Sequence, residues 1–408
     1  MTTVASKNQS ERAGNSAAGH RASLPPHELD ALCARVRRFI DEECIPREDY
    51  SKAHDIDWLD QITKELRPKA EALGLRAPQL PPEVGGLGLN WQDCARVFEV
   101  CGRSFLGANA MGCAAPDQPN IETLHVLGTP QQKDRWLGPL MRGEIRSAFA
   151  MTEPAPGVGS DPRMLSTRAE RDGDGWIING HKWFSSGAVG AAFALVVTRT
   201  TEGASWFIVE TSNPGMNIVR AVPSIDPFSN GGHAEIKFEN CRVTADALIG
   251  EVGRGFDYAQ LRLEGARLFH CMRGIGLAER AIEFAQDYAL RRDSFGAKLS
   301  EHQQIQAMVA DSHIDLYASR VMTADVARRL DAGESIRHHS SMAKVFVSEA
   351  LNRVADRAAQ ICGAVGMCED QPLALIMRRL RPFRIYDGAS EVHRAAIGKR
   401  IFHRGAQK

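Results

Sequence analysis

At 408 residues the chain exceeds the size at which one hydrophobic core usually keeps growing, so two or three sub-domains are expected. Its 50 Lys and Arg balance 50 Asp and Glu, which argues against a protein built mainly to bind nucleic acid. The longest apolar run, 187–197, is too short for a membrane span of roughly 20 residues.

In chain order, residues 1–26 are rich in Ser, Ala, Gly and Asn and have no apolar signal core. They read as a disordered tail, and Glu11 counts against an organelle leader, so a cytoplasmic protein is expected, or a mitochondrial-matrix one in a eukaryote. The nine cysteines are odd in number and form no CxxC pair, the pattern of reduced core thiols without a disulfide framework or metal site. Residues 27–147 look helical: Leu29, Leu32, Val36 and Phe39–Ile40 fall on one helical face. The stretch WLDQITKELRPKAEALGL ends on a glycine, a usual helix stop, and LPPEVGGLGLN marks a loop.

Residues 148–253 change pattern. Short runs rich in β-branched and aromatic residues alternate with turn clusters, and Asp172-Gly173-Asp174-Gly175 between two of them predicts a hairpin. Strands at this spacing with no helix between them predict a small barrel or sandwich. Residues 254–408 return to amphipathic helix, with Ala343, Val347, Ala350, Leu351 and Val354 among the apolar positions of one face. Ser300-Glu301-His302-Gln303 has the form of a capping box. The fold class is therefore α+β: an N-terminal helical domain, a middle β domain and a C-terminal four-helix bundle.

Among candidate nucleotide motifs, Gly274-Ile-Gly276 lacks the third glycine of a dinucleotide fingerprint and lies in helix, so close helix packing is its simpler reading. There is no GxxxxGK[ST], HExxH or GxSxG run, which leaves NTPase and hydrolase readings without a motif. Read alone, AMTEP, GSD and NGHKWFSSGA are a proline turn, a Gly-Ser loop and an aromatic strand, and Asp387-Gly388 is a turn.

Taken together with LPPEVGGLGL, ALIGEVGRGF, RRDSFG…EHQ, QICGAVG and RIYDGASEVHR, in this order, these motifs resemble the acyl-CoA dehydrogenase family from about residue 27 to 404. HCMRGIGLAERA and YDG look nearest to the branch holding the mammalian members ten and eleven. The resemblance implies FAD as cofactor, an acyl-CoA substrate, an electron-transfer flavoprotein as acceptor, and a homodimer or homotetramer. It also implies roles residue by residue. Met151, Thr152 and Ser160 would line the flavin, Ser160 also meeting the pantetheine. Phe184 stands where an aromatic residue packs on the isoalloxazine, and Ser186 where a Thr meets flavin N5. Arg292, Ser294, His302 and Gln303 match FAD-holding positions, Arg292 reaching the pyrophosphate in the neighbouring subunit. Gln360 and Gly363 would meet the adenylate half, and Glu391 a polar cofactor contact. Glu264, Arg267 and Gly388 lie where the acyl-CoA approaches.

The chain also departs from the family pattern. TEPAPGVGSD is two residues longer than the usual loop, Ala389 replaces a Thr, and the usual catalytic Glu is Asp387. The alternative base position is Ala266, which leaves Asp387 as the implied base. Its unperturbed pKa of about 3.9 should rise on burial, and its reach is about 1.5 Å shorter than that of Glu. Two rivals share the fold: a nitroalkane oxidase, whose members also use Asp here, and a DNA-binding homologue, whose basic C-terminal region this chain does not show.

Overall fold

The computed structural model describes residues 23–405, so most of the expected tail lies outside the described residues. Its last residues are ordered: Leu24 N donates to Asp93 Oδ2 (2.8 Å), Ser23 Oγ accepts from Asn90 Nδ2 (2.6 Å), and helix begins at Pro26.

Helix α1 (Pro26–Phe39) buries Leu29, Leu32, Val36 and Phe39, the face its periodicity predicts. Helices α2 (Ile56–Ala72) and α3 (Trp91–Cys101) start where Asp55 and Asn90 side chains accept backbone N–H groups that a helix leaves unpaired. Helix α4 is Asp117–Leu127.

The strands are β1 (Ser147–Ala150), β2 (Arg168–Asp172), β3 (Gly175–Ser186), β4 (Phe193–Arg199), β5 (Ala204–Glu210), β6 (Met216–Ala221), β7 (His233–Val243) and β8 (Leu248–Ile249). They form one sheet in the order β6-β7-β3-β1-β4-β5-β8, with β2 also between β3 and β4. Most pairs are antiparallel, while β1 and β2 each run parallel to β4. The Asp172–Gly175 hairpin forms as expected, with Gly173 at φ 58°. Along β4, Phe193, Leu195 and Val197 join one core cluster and Ala194 and Val196 another, so the sheet is buried on both faces.

Three long helices follow: α5 (Gly255–Arg291), α6 (Gln303–Asp331) and α7 (Arg337–Cys362), then α8 (Pro372–Leu380) and α9 (Ser390–Gly405). A short β hairpin, 293–298, joins α5 to α6. The Ser300–Gln303 capping box does not form. Residues 299–301 make a 3-10 turn, the N-cap is His302, and no side chain caps α6. The two helical regions share one core, in which Phe269 of α5 stacks on Phe98 and Trp91 of α3 at 4.5 and 4.9 Å. Gly276 allows this approach, because a Cβ there would collide with the Glu99 carbonyl. Helix packing is thus the role of the Gly274–Gly276 pair.

Candidate active site

The segment between α8 and α9 folds into a left-handed turn at Asp387 (φ 54°) and Gly388 (φ 95°). Asp tolerates this conformation better than most residues, and Gly adopts it freely. A Cβ on Gly388 would lie 2.7 Å from His393 Nε2, which makes glycine necessary beside the aspartate. Donors from three helices grip the turn. Arg267 Nε of α5 (2.9 Å) and His393 Nε2 of α9 (3.1 Å) both reach the Asp387 carbonyl, and Lys344 Nζ of α7 reaches the Gly388 carbonyl at 2.7 Å. Arg267, implied by resemblance to meet substrate, is placed against the backbone of the proposed base.

The Asp387 carboxylate is buried, and its Oδ2 has no hydrogen-bond partner. Burial raises its pKa, while Arg262, Arg267, Lys344 and Arg273 pull in the opposite direction. Arg262 is itself so buried that its pKa falls to about 10. Its guanidinium lies 3.8 Å over the Phe149 ring and donates to Asn120 Oδ1 at 3.2 Å. Lys344 is lowered to about 8, again by burial. Ala266, at the alternative base position, is buried and carries no acid.

The second set of residues lies along β1 and β3, where Phe149 faces Ser186 and Trp183 N donates to the Thr152 carbonyl at 2.9 Å. Met151, Thr152, Phe184 and Ser186 are therefore brought together. Phe184 has φ 50° and remains 41% exposed, in a register irregularity near the end of β3. Ser186 Oγ lies 3.0 Å from His233 Nδ1, and the other ring nitrogen lies 3.2 Å from Asp226 Oδ2. Arg379 closes this chain by donating to Asp226 Oδ1 at 2.8 Å. Burial disfavours the Asp226 charge, but Arg379 and His233 more than offset it and hold its pKa low.

The longer loop after Met151 wraps around Glu153. Its carboxylate accepts from the backbone N–H groups of Val158, Ser166 and Thr167, from Ser166 Oγ and from Lys182 Nζ (2.9 Å). Lys182 also donates to the Met151 carbonyl at 2.8 Å. The two extra residues thus leave the chain's path beside Met151 anchored. Ser160 lies exposed on this loop.

A third set lies at the far end of the bundle. Arg292 follows the last residue of α5 and is exposed, and His302 Nε2 meets the Ser294 carbonyl at 3.0 Å across the short hairpin. Gln303, Gln360 and Gly363 are exposed at helix ends, and Glu391 is exposed at the start of α9. Arg292 is 25 residues beyond Arg267, about 37 Å along helix at 1.5 Å per residue. The Glu264 side chain lies outside the described residues.

Several participants were not singled out from sequence. Arg262 and Arg273 recur at i and i+11, one stripe of α5, with Ala266 and Phe269 between them; charge on so apolar a stripe was a usable signal. Lys182 falls in phase with inward-facing Trp176 and Ile178 along β3. His270, Asp226 and Arg379 gave no such signal, because only the packing of distant segments joins them.

An exposed aromatic ring flanked by hydroxyls and by backbone at the ends of β1 and β3 suits a planar cofactor that both stacks and hydrogen-bonds. Comparison with known proteins agrees. Residues 26–144, 148–241 and 253–402 match the N-terminal, middle and C-terminal domains of acyl-CoA dehydrogenase. The chain is 38% identical over 389 residues to acyl-CoA dehydrogenase family member 11 of Mus musculus, covering 90% of this chain and 49% of that protein. It is 39% identical over 349 residues to the Mycobacterium tuberculosis protein named "Probable acyl-CoA dehydrogenase FadE2", covering 83% and 85%. The solved acyl-CoA dehydrogenase of Geobacillus kaustophilus superposes with a TM-score of 0.80 at 28% identity, covering 93% and 98%. The chain spans about half the length of the animal relatives it matches. It belongs to the acyl-CoA dehydrogenase family, whose cofactor is FAD.

Proposed function

We propose that this chain oxidises an acyl-CoA thioester to the 2-enoyl-CoA with FAD as oxidant and Asp387 as base. The observation that carries this reading is the buried Asp387 carboxylate, with Oδ2 unpartnered inside a group of cations. A thioester α-C–H is too weak an acid for a solvated carboxylate, so the base must be desolvated and fixed in place. Burial strengthens Asp387 as a base, and Arg262, Arg267 and Lys344 keep the carboxylate form accessible. The donors from α5, α7 and α9 hold the turn that aims it.

Bound FAD supplies the two-electron acceptor that takes the β-hydrogen as hydride. Asp387 takes the α-proton, and the two lost C–H bonds become the Cα=Cβ double bond. Met151, Thr152, Phe184 and Ser186 would hold the flavin ring, with Glu391 as a further polar contact. Glu264, Arg267, Gly388 and Ser160 would lie along the CoA thioester. Arg292, Ser294, His302, Gln303, Gln360 and Gly363 would hold FAD at its distal half. With about 37 Å of helix separating Arg292 from the Asp387 turn, it would serve the cofactor of a second copy, in a homodimer or homotetramer. An electron-transfer flavoprotein would reoxidise the reduced enzyme.

Anaerobic mixing of the FAD-containing protein with a panel of acyl-CoAs and nitroalkanes tests the reading. An acyl-CoA should bleach the visible flavin band. Bleaching by nitroalkanes alone would replace this proposal with the oxidase.

A further inference from the structure

We propose that His270 is a positioning residue for Asp387, holding carboxylate Oδ2 through its Nε2–H; this rests on the reading of Asp387 as the base. His270 lies on α5 one turn after Ala266, with Nε2 3.5 Å from Asp387 Oδ2. Its other nitrogen, Nδ1, faces two groups: Arg273 NH2 and the Tyr386 hydroxyl, each at 3.4 Å. A guanidinium can only donate, so Nδ1 must be an acceptor, and the single proton of a neutral imidazole then belongs on Nε2. Nε2 is thus the ring nitrogen 3.5 Å from the oxygen of Asp387 that has no hydrogen-bond partner.

Geometry and charge both keep this arrangement in place. The imidazole packs against Tyr386 and Phe383, with ring centroids 4.7 and 5.7 Å away. Burial, reinforced by Arg273, Arg379 and Lys344, pushes its pKa well below the usual histidine value, so it is neutral. The remaining charged groups at Asp387 have different work. Arg262 is engaged by Asn120, while Arg267 and His393 hold the Asp387 carbonyl and Lys344 that of Gly388.

A neutral donor suits a base that must accept a proton. It fixes the direction of the carboxylate without the strong charge stabilisation that a direct ion pair would impose. The 3.5 Å separation is longer than a full hydrogen bond, as catalytic contacts often are before substrate binds.

Two variants of the FAD-containing protein separate positioning from packing. His270→Phe keeps a planar ring and removes the donor, whereas His270→Gln retains an N–H donor. Anaerobic flavin reduction by an acyl-CoA is measured against pH for both. The Phe variant should lose up to about a hundredfold in rate through a misaimed base. Its acidic limb should move up by about one pH unit as the carboxylate loses its neutral donor. The Gln variant should recover most of the rate and the original limb. A Phe variant with unchanged rate and limb overturns the proposal.

A second measurement needs no turnover. In the 15N spectrum of the holoprotein, the His270 imidazole, identified by its loss in His270→Gln, should carry its proton on Nε2. A proton on Nδ1 overturns the proposal even if the Phe variant does not fold. Asp387→Asn is run in parallel: an undiminished rate there removes the base reading and this proposal with it, whereas the 15N result reports on His270 alone.

Discussion

Glu153 and Asp387 are both buried carboxylates, yet their surroundings give them opposite properties. Glu153 accepts three backbone N–H groups, a hydroxyl and the Lys182 ammonium. Although burial works against its charge, Lys182 and the hydrogen bonds hold its pKa at about 2. Asp387 is surrounded by cations at a distance, but Oδ2 has no hydrogen-bond partner and burial raises its pKa. A carboxylate with all its acceptor sites filled is a structural fixture. One held by its backbone, with a side-chain oxygen left over, is prepared to take a proton.

The comparison breaks most directly at Asp387. Asp387→Asn should leave flavin bound and slow anaerobic reduction by an acyl-CoA by roughly 10²–10⁴-fold, as for a lost general base; an unchanged rate would make Asp387 a turn residue only. At the other pole, Glu153→Gln should cost roughly 3–5 kcal/mol in a denaturant melt, because it leaves the Lys182 ammonium buried without its counter-charge. The pH dependence has a defined sign. The folded pKa of Glu153 lies below its ordinary value of 4.5, so its stabilisation is present above pH 4.5 and is lost as pH falls toward about 2. The Gln variant should flatten stability across that window, and an acid melt that retains the wild-type slope would show that another group governs it.

Arg292→Ala tests whether the cofactor site continues into a second copy. Flavin content per chain, read from the absorbance ratio, and assembly, read by light scattering, should fall together by several-fold, as for a lost charged contact of a few kcal/mol. A fully flavinated monomer would defeat that idea. The smallest effect is expected at Arg262, the largest cationic influence on Asp387. Arg262→Gln should raise the Asp387 pKa, moving the acidic limb of flavin reduction up by about one unit. An unmoved limb would assign the tuning to Arg267 and Lys344.

Local patterns made much of this architecture legible in the sequence. Apolar spacing at Leu29, Leu32 and Val36 set the buried face of α1, and Asp172–Gly175 set the first hairpin, because helix faces and tight turns depend on residues a few positions apart. The motif order around TEP, HKWF and YDG pointed to the family and to Asp387. The Ser300–Gln303 capping signal was misleading, because the hairpin before α6 places a 3-10 turn there and leaves His302 at the N-cap. Glu153 and Lys182 stand 29 residues apart, Arg262 and Asn120 142 apart, and Tyr386 and His270 116 apart. The sequence by itself determined which elements form and which acid replaces the family's glutamate. Only the tertiary structure decided which carboxylate is saturated with donors and which keeps an open oxygen. That distinction depends on desolvation and on donors from distant segments, and neither is encoded within one helix or turn.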